Sequence, residues 1–228
     1  MVVRLATVVL AMSGFGWLTW TSYVRDWSDA DFLASQADSQ VLAARAQVLA
    51  DRNEMPAEGG GTLLRNDSKT QGPLLFARHC ASCHPYADAQ GHGIAATEPS
   101  APNLYGFGTA PWISGLLDPA TIKGSHYFGK TKLAEGEMAS AIQAKIDEAE
   151  ENTDELRQKL KLVAQALAAE AALRTPSVDD RPIESVAAGI ALLTGELSCI
   201  DCHKFHDQGE LGSAPDLTGY GSREWLAG

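Results

Sequence analysis

The stretch Cys80-Ala81-Ser82-Cys83-His84 decides the interpretation of this chain, and its pattern recurs 119 residues later as Cys199-Ile200-Asp201-Cys202-His203. Cys-x-x-Cys-His is the attachment sequence for c-type haem. On a helical turn, cysteines three residues apart lie on one face, so both thiols can bond to the vinyl groups of one haem. The histidine that follows can then ligate the iron. The chain is therefore predicted to bind two c-type haems, through Cys80, Cys83, Cys199 and Cys202, with His84 and His203 as iron ligands.

Two other uses of paired cysteines need to be weighed. A thioredoxin-type thiol pair does not require a following histidine and usually lies near a βαβ pattern, which neither motif has. Zinc knuckles usually place their cysteine pairs roughly 12–20 residues apart, far less than the spacing here. The two motifs use all four cysteines of the chain. A haem-free metal or thiol module stays the alternative, and it predicts no covalent haem.

Composition limits the class of protein. The chain has 228 residues, 45% of them hydrophobic and 21% charged, which is typical of one or two globular domains. Its net charge of −11 argues against a nucleic-acid partner. An acidic surface suits an electron carrier that docks on a basic partner, although the same charge also simply keeps a surface solvated.

Leu5 to Val24 is an uncharged, mostly apolar run, about as long as a helix that spans a bilayer. Arg4 precedes it and several aspartates follow, so the positive-inside rule predicts a single-pass anchor over residues 1–27 with the rest of the chain on the periplasmic, extracytoplasmic side. A cleaved signal peptide is the alternative, but no Ala-x-Ala-like site follows the run. The anchor and the signal peptide would each place the motifs outside the cytoplasm, where c-type haem is attached. The aromatic residues typical of a membrane interface are Trp17, Trp20, Tyr23 and Trp27.

A connector is predicted over residues 28–62. Asp38 to Arg52 has the apolar spacing of an amphipathic helix, which Pro56 and the glycines 59–61 end. Such a helix serves either as a stalk that lifts the following domains from the membrane or as a surface for a partner.

Met138 is reached by elimination, because the other methionines (Met1, Met12 and Met55) precede both motifs. We expect it in a loop beside Gly136, just before a helix. A thioether there would fill the sixth position of the first iron and raise its potential. The alternatives are an ordinary core methionine, or ligation by His92 or His126. Further helices are predicted at 69–79, 111–117, 135–151 and 154–174, with a cap at 152–154 for the last.

A helix, the motif, the loop Ala101-Pro102-Asn103-Leu104-Tyr105-Gly106, a methionine and a closing helix follow in this order. The order resembles a class I c-type cytochrome over roughly Leu63 to Arg174. The resemblance implies that the first and last helices cross near the haem. It also implies that the Pro102 carbonyl accepts a hydrogen bond from His84 and so orients the imidazole. The first cytochrome c domain is predicted over residues 63–175.

A second copy is predicted over residues 176–228, with a linker at 176–182 and a helix at 183–193. Residues 101–115 align without gaps on residues 214–228, and Ala, Pro, Leu, Gly, Gly, Trp and Gly recur at an offset of 113. By the same mapping Pro215 orients His203. We expect this copy to be truncated, since no methionine or closing helix follows the aligned stretch. If Gly228 is the true end, the second iron is five-coordinate, or ligated by His206 or a partner.

The predicted fold is therefore mainly α: an N-terminal transmembrane helix and tandem class I cytochrome c domains, the second incomplete. The whole resembles the membrane-attached, multi-haem c-type part of a quinol-oxidising cytochrome bc complex. That resemblance implies an electron carrier of a respiratory chain rather than an enzyme, with cytochrome bc-type subunits as membrane electron donor and a redox protein as acceptor. The alternative is haem-based catalysis or ligand sensing, peroxidase-like, at an open second haem.

Overall fold

The structure, a computed structural model, describes residues 2–171, 183–212 and 214–228. These residues are mainly helical, as predicted, and they divide into two compact units, Met1–Leu75 and Phe76–Gly228. The predicted linker at 176–182 and the boundary between residues 175 and 176 lie outside the described residues. The division into two cytochrome domains therefore stays a prediction.

The first unit begins with α1 (Val2–Ser28), which is followed by α2 (Ala30–Asn53) and α3 (Gly60–Arg65). From Arg4 to Ser28, α1 is long and apolar enough to cross a membrane. The predicted N-terminal helix of membrane-spanning length is thus present, and the side of the membrane stays a prediction. α2 begins earlier than the predicted Asp38 because the side chain of Asp29 caps it, accepting hydrogen bonds from the amides of Asp31 and Phe32.

An ion pair joins α2 to the start of α4 (Ser68–His79) within the first unit. Arg45 Nη2 lies 2.6 Å from Asp67 Oδ1, and Arg45 Nε donates to Oδ2 at 3.0 Å. The same carboxylate accepts from the amide and the hydroxyl of Thr70, so it also satisfies a free N–H group at the start of α4. Asp67 is only 8% exposed. Its hydrogen bonds and ion pair offset the free-energy cost of burying a carboxylate.

The second unit takes in the end of α4 and the elements that follow it. A two-stranded antiparallel ribbon pairs Tyr86 with Ile94 and Ala87 with Gly93. The strands of this ribbon are β1 (Tyr86–Ala87) and β2 (Gly93–Ile94). The helices that follow are α5 (Ala110–Leu116), α6 (Pro119–Ile122), α7 (Glu137–Ala149), α8 (Thr153–Glu170), α9 (Ile183–Thr194) and α10 (Arg223–Ala227). Short 3₁₀ turns lie at Lys132–Glu135, Glu150–Asn152 and Cys199–Asp201.

The core of the second unit lies where α8 packs against α5 and α9. α8 presents Leu160, Val163 and Leu167, which recur at helical spacing and are buried, while Ile113 comes from α5 and Leu193 from α9. The resemblance implied a crossing of the first and last helices of one copy. In the structure, α8 packs against α5 and also against α9, the helix that begins the predicted second copy. Residues of both predicted copies therefore contribute to one core.

Three expectations at α7 and α8 need adjustment. Met138 lies in the first turn of α7 rather than in a loop before it, because the helix begins at Glu137. Asn152 occupies the capping position of α8, but its side chain makes no capping hydrogen bond. α8 ends at Glu170 and is followed by Ala171, so it stops before the predicted Arg174, and residues 172–174 lie outside the described part.

Candidate cofactor-binding site

The first motif closes a helical turn at the end of α4. The amide of Cys80 donates to the carbonyl of Phe76 at 2.8 Å, and the amides of Cys83 and His84 both donate to the carbonyl of Cys80, at 3.1 and 2.9 Å. Residues three apart on such a turn lie on one face, which suits two thiols that bind one group. Both thiols are free, with Cys80 half-buried and Cys83 exposed.

A later segment folds back over this turn. The amides of Thr97, Glu98 and Ser100 donate in order to the carbonyls of Ala81, Ser82 and Cys83, at 2.9, 3.1 and 3.2 Å. Hydrogen bonding from Ser100, and to a lesser extent from Ser82, lowers the pKa of the Cys83 thiol below its usual 9.0. The turn is thus held by residues that lie well outside the motif.

His84 is oriented by the loop that the sequence singled out. Its Nδ1–H donates to the carbonyl oxygen of Pro102 at 2.8 Å, which is the hydrogen bond that the family resemblance implied. A carbonyl oxygen can only accept, so Nδ1 carries the proton and Nε2 keeps its lone pair. In this tautomer His84 can ligate a metal through Nε2.

Asn103, beside Pro102, fixes this loop through its side chain, a role that was not predicted from the sequence. It is 8% exposed. Its Oδ1 accepts from the amides of Ala87 and Tyr105, while its Nδ2 donates to the carbonyl of Ala87 at 2.8 Å and to Nδ1 of His126 at 3.2 Å. The side chain therefore ties the loop both to β1 and to His126. An asparagine after the loop proline was the only available signal, and spacing does not show such a network.

The second motif repeats the first. The amides of Cys202 and His203 donate to the carbonyl of Cys199 at 3.3 and 2.9 Å. His203 Nδ1–H donates to the Pro215 carbonyl at 2.8 Å, so this histidine has the same tautomer as His84. Cys199 is half-buried and Cys202 exposed, as in the first motif. Burial raises the pKa of the Cys199 thiol above its usual 9.0.

The predicted offset of 113 residues also holds for the hydrogen bonds of the two loops. The indole of Trp112 donates to the Asn103 carbonyl at 3.0 Å, and that of Trp225 donates to the Asp216 carbonyl at 2.6 Å. The next helices begin at equivalent hydroxyl caps, Thr109 and Ser222. Equivalent glycines adopt the same left-handed backbone, which side chains with a Cβ rarely adopt, and these are Gly106, Gly108, Gly219 and Gly221. The repeat in sequence is thus matched by repeated hydrogen bonds, caps and backbone conformations in the two loops.

The histidines considered as further ligands have other contacts. His92 is on the surface, paired with Asp88 at 3.3 Å. Asn103 donates to Nδ1 of His126, so a neutral His126 carries its proton on Nε2; burial lowers its pKa below the usual 6.5, which favours that neutral form. His206 Nε2 lies 3.1 Å from Glu170 Oε1. In these arrangements neither His126 nor His206 presents an unengaged Nε2 lone pair as His84 does, whereas His92, whose Nδ1 faces Asp88, keeps one at the surface.

Met138 is half-buried and packs against the core of the second unit. Its side chain thus has the contacts of a core methionine in this structure. Its role as an iron ligand stays a prediction.

Among the described residues, no group of three or more His, Cys, Asp or Glu side chains is gathered as a preformed metal site. Comparisons of the chain with protein-family models, with curated proteins and with solved structures find no match.

Proposed function

We propose that this chain is a membrane-anchored c-type cytochrome subunit that transfers electrons through two covalently bound haems. One observation carries the proposal: in both Cys-x-x-Cys-His motifs the histidine donates its Nδ1–H to a proline carbonyl at 2.8 Å. Two motifs 119 residues apart share this detail, together with the same turn and the same pattern of thiol exposure. A repeated arrangement of this kind is expected where both copies hold the same group.

The residues present fit a haem. Each motif offers two free thiols for thioether bonds and one imidazole whose Nε2 lone pair is available to iron. Bound iron supplies a reversible one-electron step. Pro102 and Pro215 fix the planes of the two imidazoles and raise their basicity, which stabilises the oxidised metal. A rigid ligand shell of this kind keeps rearrangement small between the two redox states.

The remaining parts of the proposal follow from the sequence. α1 is the anchor, and the motifs are proposed to lie on the extracytoplasmic side, where c-type haem is attached. The partners are a membrane donor of the cytochrome bc type and a soluble or membrane-bound redox acceptor. The net charge of −11 favours a basic docking surface on one of them.

The test is the intact mass of the chain, expressed with its complete downstream reading frame in a host that matures c-type cytochromes. Two haem additions are expected in the wild-type chain. One is expected in Cys80→Ala/Cys83→Ala and one in Cys199→Ala/Cys202→Ala, while the combined variant carries none. A wild-type chain without covalent haem would overturn the proposal and favour a thiol or metal module.

A second candidate function is catalysis or ligand sensing at the second motif. It is favoured by one observation: His206, the histidine that follows this motif most closely, is engaged by Glu170 through Nε2. An open iron position predicts carbon monoxide binding in the reduced state. The variant Cys80→Ala/Cys83→Ala isolates the second motif, and a low-spin spectrum unchanged by carbon monoxide would exclude this candidate.

A further inference from the structure

The two loops that orient the motif histidines meet at equivalent positions. Phe107 and Tyr220 are 113 residues apart, the offset of the repeat, and their ring centroids lie 5.5 Å apart with an interplanar angle of 50°. The next equivalent pair also meets, since a Cβ built on Gly221 would lie 3.4 Å from the Cα of Gly108. Contact between equivalent residues is what an interface with local two-fold symmetry produces. We name this contact the loop junction.

The loop junction is close in sequence to both histidine contacts. Phe107 follows Pro102 by five residues, and Tyr220 follows Pro215 by the same number. Between proline and aromatic ring, each loop is held by its tryptophan hydrogen bond and by the turn that the first of its two glycines allows. A displacement at one ring is therefore expected to reach the carbonyl that orients the histidine of the same copy.

Other contacts hold the two copies in this register. Glu170, at the end of α8, accepts from the amide of Gly219 through Oε2 at 2.8 Å, and its other oxygen contacts His206. Lys159 Nζ, also on α8, lies 2.6 Å from Glu196 Oε1, just after α9. Helix α8 belongs to the first copy by sequence, yet it supports the histidine loop of the second. These are the contacts of one body rather than of two independent domains.

We propose that the loop junction couples the two motif sites, so that the redox state at one changes the potential at the other. Phe107 and Tyr220 are positioning residues: they hold the two proline carbonyls in one register without touching a reacting atom. A histidine bound to an oxidised metal would donate a stronger hydrogen bond to its proline carbonyl than one bound to the reduced metal. The loop junction transmits this change in the hydrogen bond to the opposite loop, and thermodynamic linkage makes the effect reciprocal. The inference rests on the proposed function.

The test is a redox titration of the haem-loaded, full-length chain, with haem counted by intact mass. The potential of the first site is compared between the wild-type chain and Cys199→Ala/Cys202→Ala, which loads only the first motif. The difference between these two potentials measures the interaction between the two sites. It is expected to be measurable in the wild-type background, retained in Tyr220→Phe, which keeps the ring contact, and lost or much reduced in Phe107→Leu.

Two further variants test the same contact in case Phe107→Leu fails to fold. Tyr220→Leu removes the contact from the other side, and Glu170→Gln weakens the support of the second loop without altering either ring. Glu151→Gln, an exposed position before α8, is the charge-matched control and should leave the interaction unchanged.

The outcomes separate the two proposals. A chain that carries two haems but shows no interaction, or the same interaction in both leucine variants, overturns the coupling and leaves the proposed function standing. A chain that carries no haem overturns both.

Discussion

Gly189 of α9 lies directly against the backbone carbonyl of Leu162 on α8, at the crossing that joins the two copies. The Cβ of Ala166 would lie 2.8 Å from a Cβ built at this position. Because a carbonyl in a helix cannot move aside, the two helices can approach this closely only where one of them lacks a side chain. The crossing thus depends on a single glycine.

Gly189→Ala is therefore expected to destabilise the second unit. Overpacking of a close contact costs typically about 1–3 kcal/mol, which outweighs the roughly 1 kcal/mol that alanine gains over glycine in a helix. The measurement is the melting temperature of the chain in detergent. Gly61→Ala in α3, where a Cβ would meet only Arg65 Nη1 at 3.6 Å, is the control and should not lower it. An unchanged melting temperature for Gly189→Ala would show that α8 and α9 accommodate the added methyl group without loss of stability.

Asn103→Ala removes the side chain that ties the first histidine loop to β1. It leaves the amides of Ala87 and Tyr105 and the carbonyl of Ala87 without their partly buried hydrogen bonds to the Asn103 side chain, at an expected cost of about 1–3 kcal/mol. Denaturant unfolding measures this loss. Asn152→Ala is the matched control, because the Asn152 side chain is exposed and caps nothing. Equal stability of the two variants would contradict the role assigned to Asn103.

Much of the local structure could be predicted from sequence. The helices before both motifs begin and end within a residue or so of the predicted positions, since apolar spacing, Pro and Gly act locally. The hydrogen bond from His84 to Pro102 was implied by the family resemblance. The meeting of Phe107 with Tyr220 was not, because a repeat in sequence does not say which faces of the two copies touch. The same holds for α8, whose apolar stripe is equally suited to a helix from either copy.

The ion pair of Asp67 with Arg45 predicts a dependence on pH in the first unit. The hydrogen bond from Arg45, followed by that from Thr70, holds the pKa of Asp67 well below its usual 3.8. A carboxyl group whose pKa is lower in the folded chain stabilises the fold above its unfolded pKa, and this contribution is lost as the pH falls towards the lowered value. Asp67→Asn should thus speed amide exchange at Thr70 and Gln71 by a constant factor between about pH 5 and 8.

The difference between Asp67→Asn and the wild-type chain should shrink only as the pH falls below 3.8. Asp38→Asn, at an exposed position of α2, is the control and should exchange like the wild-type chain. A difference that disappears near neutral pH would show that the ion pair does not hold the start of α4.

Met138 is the residue for which the sequence and the structure suggest different roles, and one variant separates them. If its thioether ligates the first iron, Met138→Leu should lower the potential of that site, turn it high-spin and allow carbon monoxide to bind, because a histidine–methionine pair raises the potential. If Met138 is only part of the core, where it packs half-buried at the start of α7, the same variant should cost less than about 1.5 kcal/mol of stability and leave the potential unchanged.

Met55→Leu, at an exposed position in the first unit, controls for the loss of a thioether. The readout is a redox titration of the chain Cys199→Ala/Cys202→Ala, in which only the first motif is loaded. A lowered potential together with unaltered unfolding would identify Met138 as a ligand, since a packing defect has the opposite pattern.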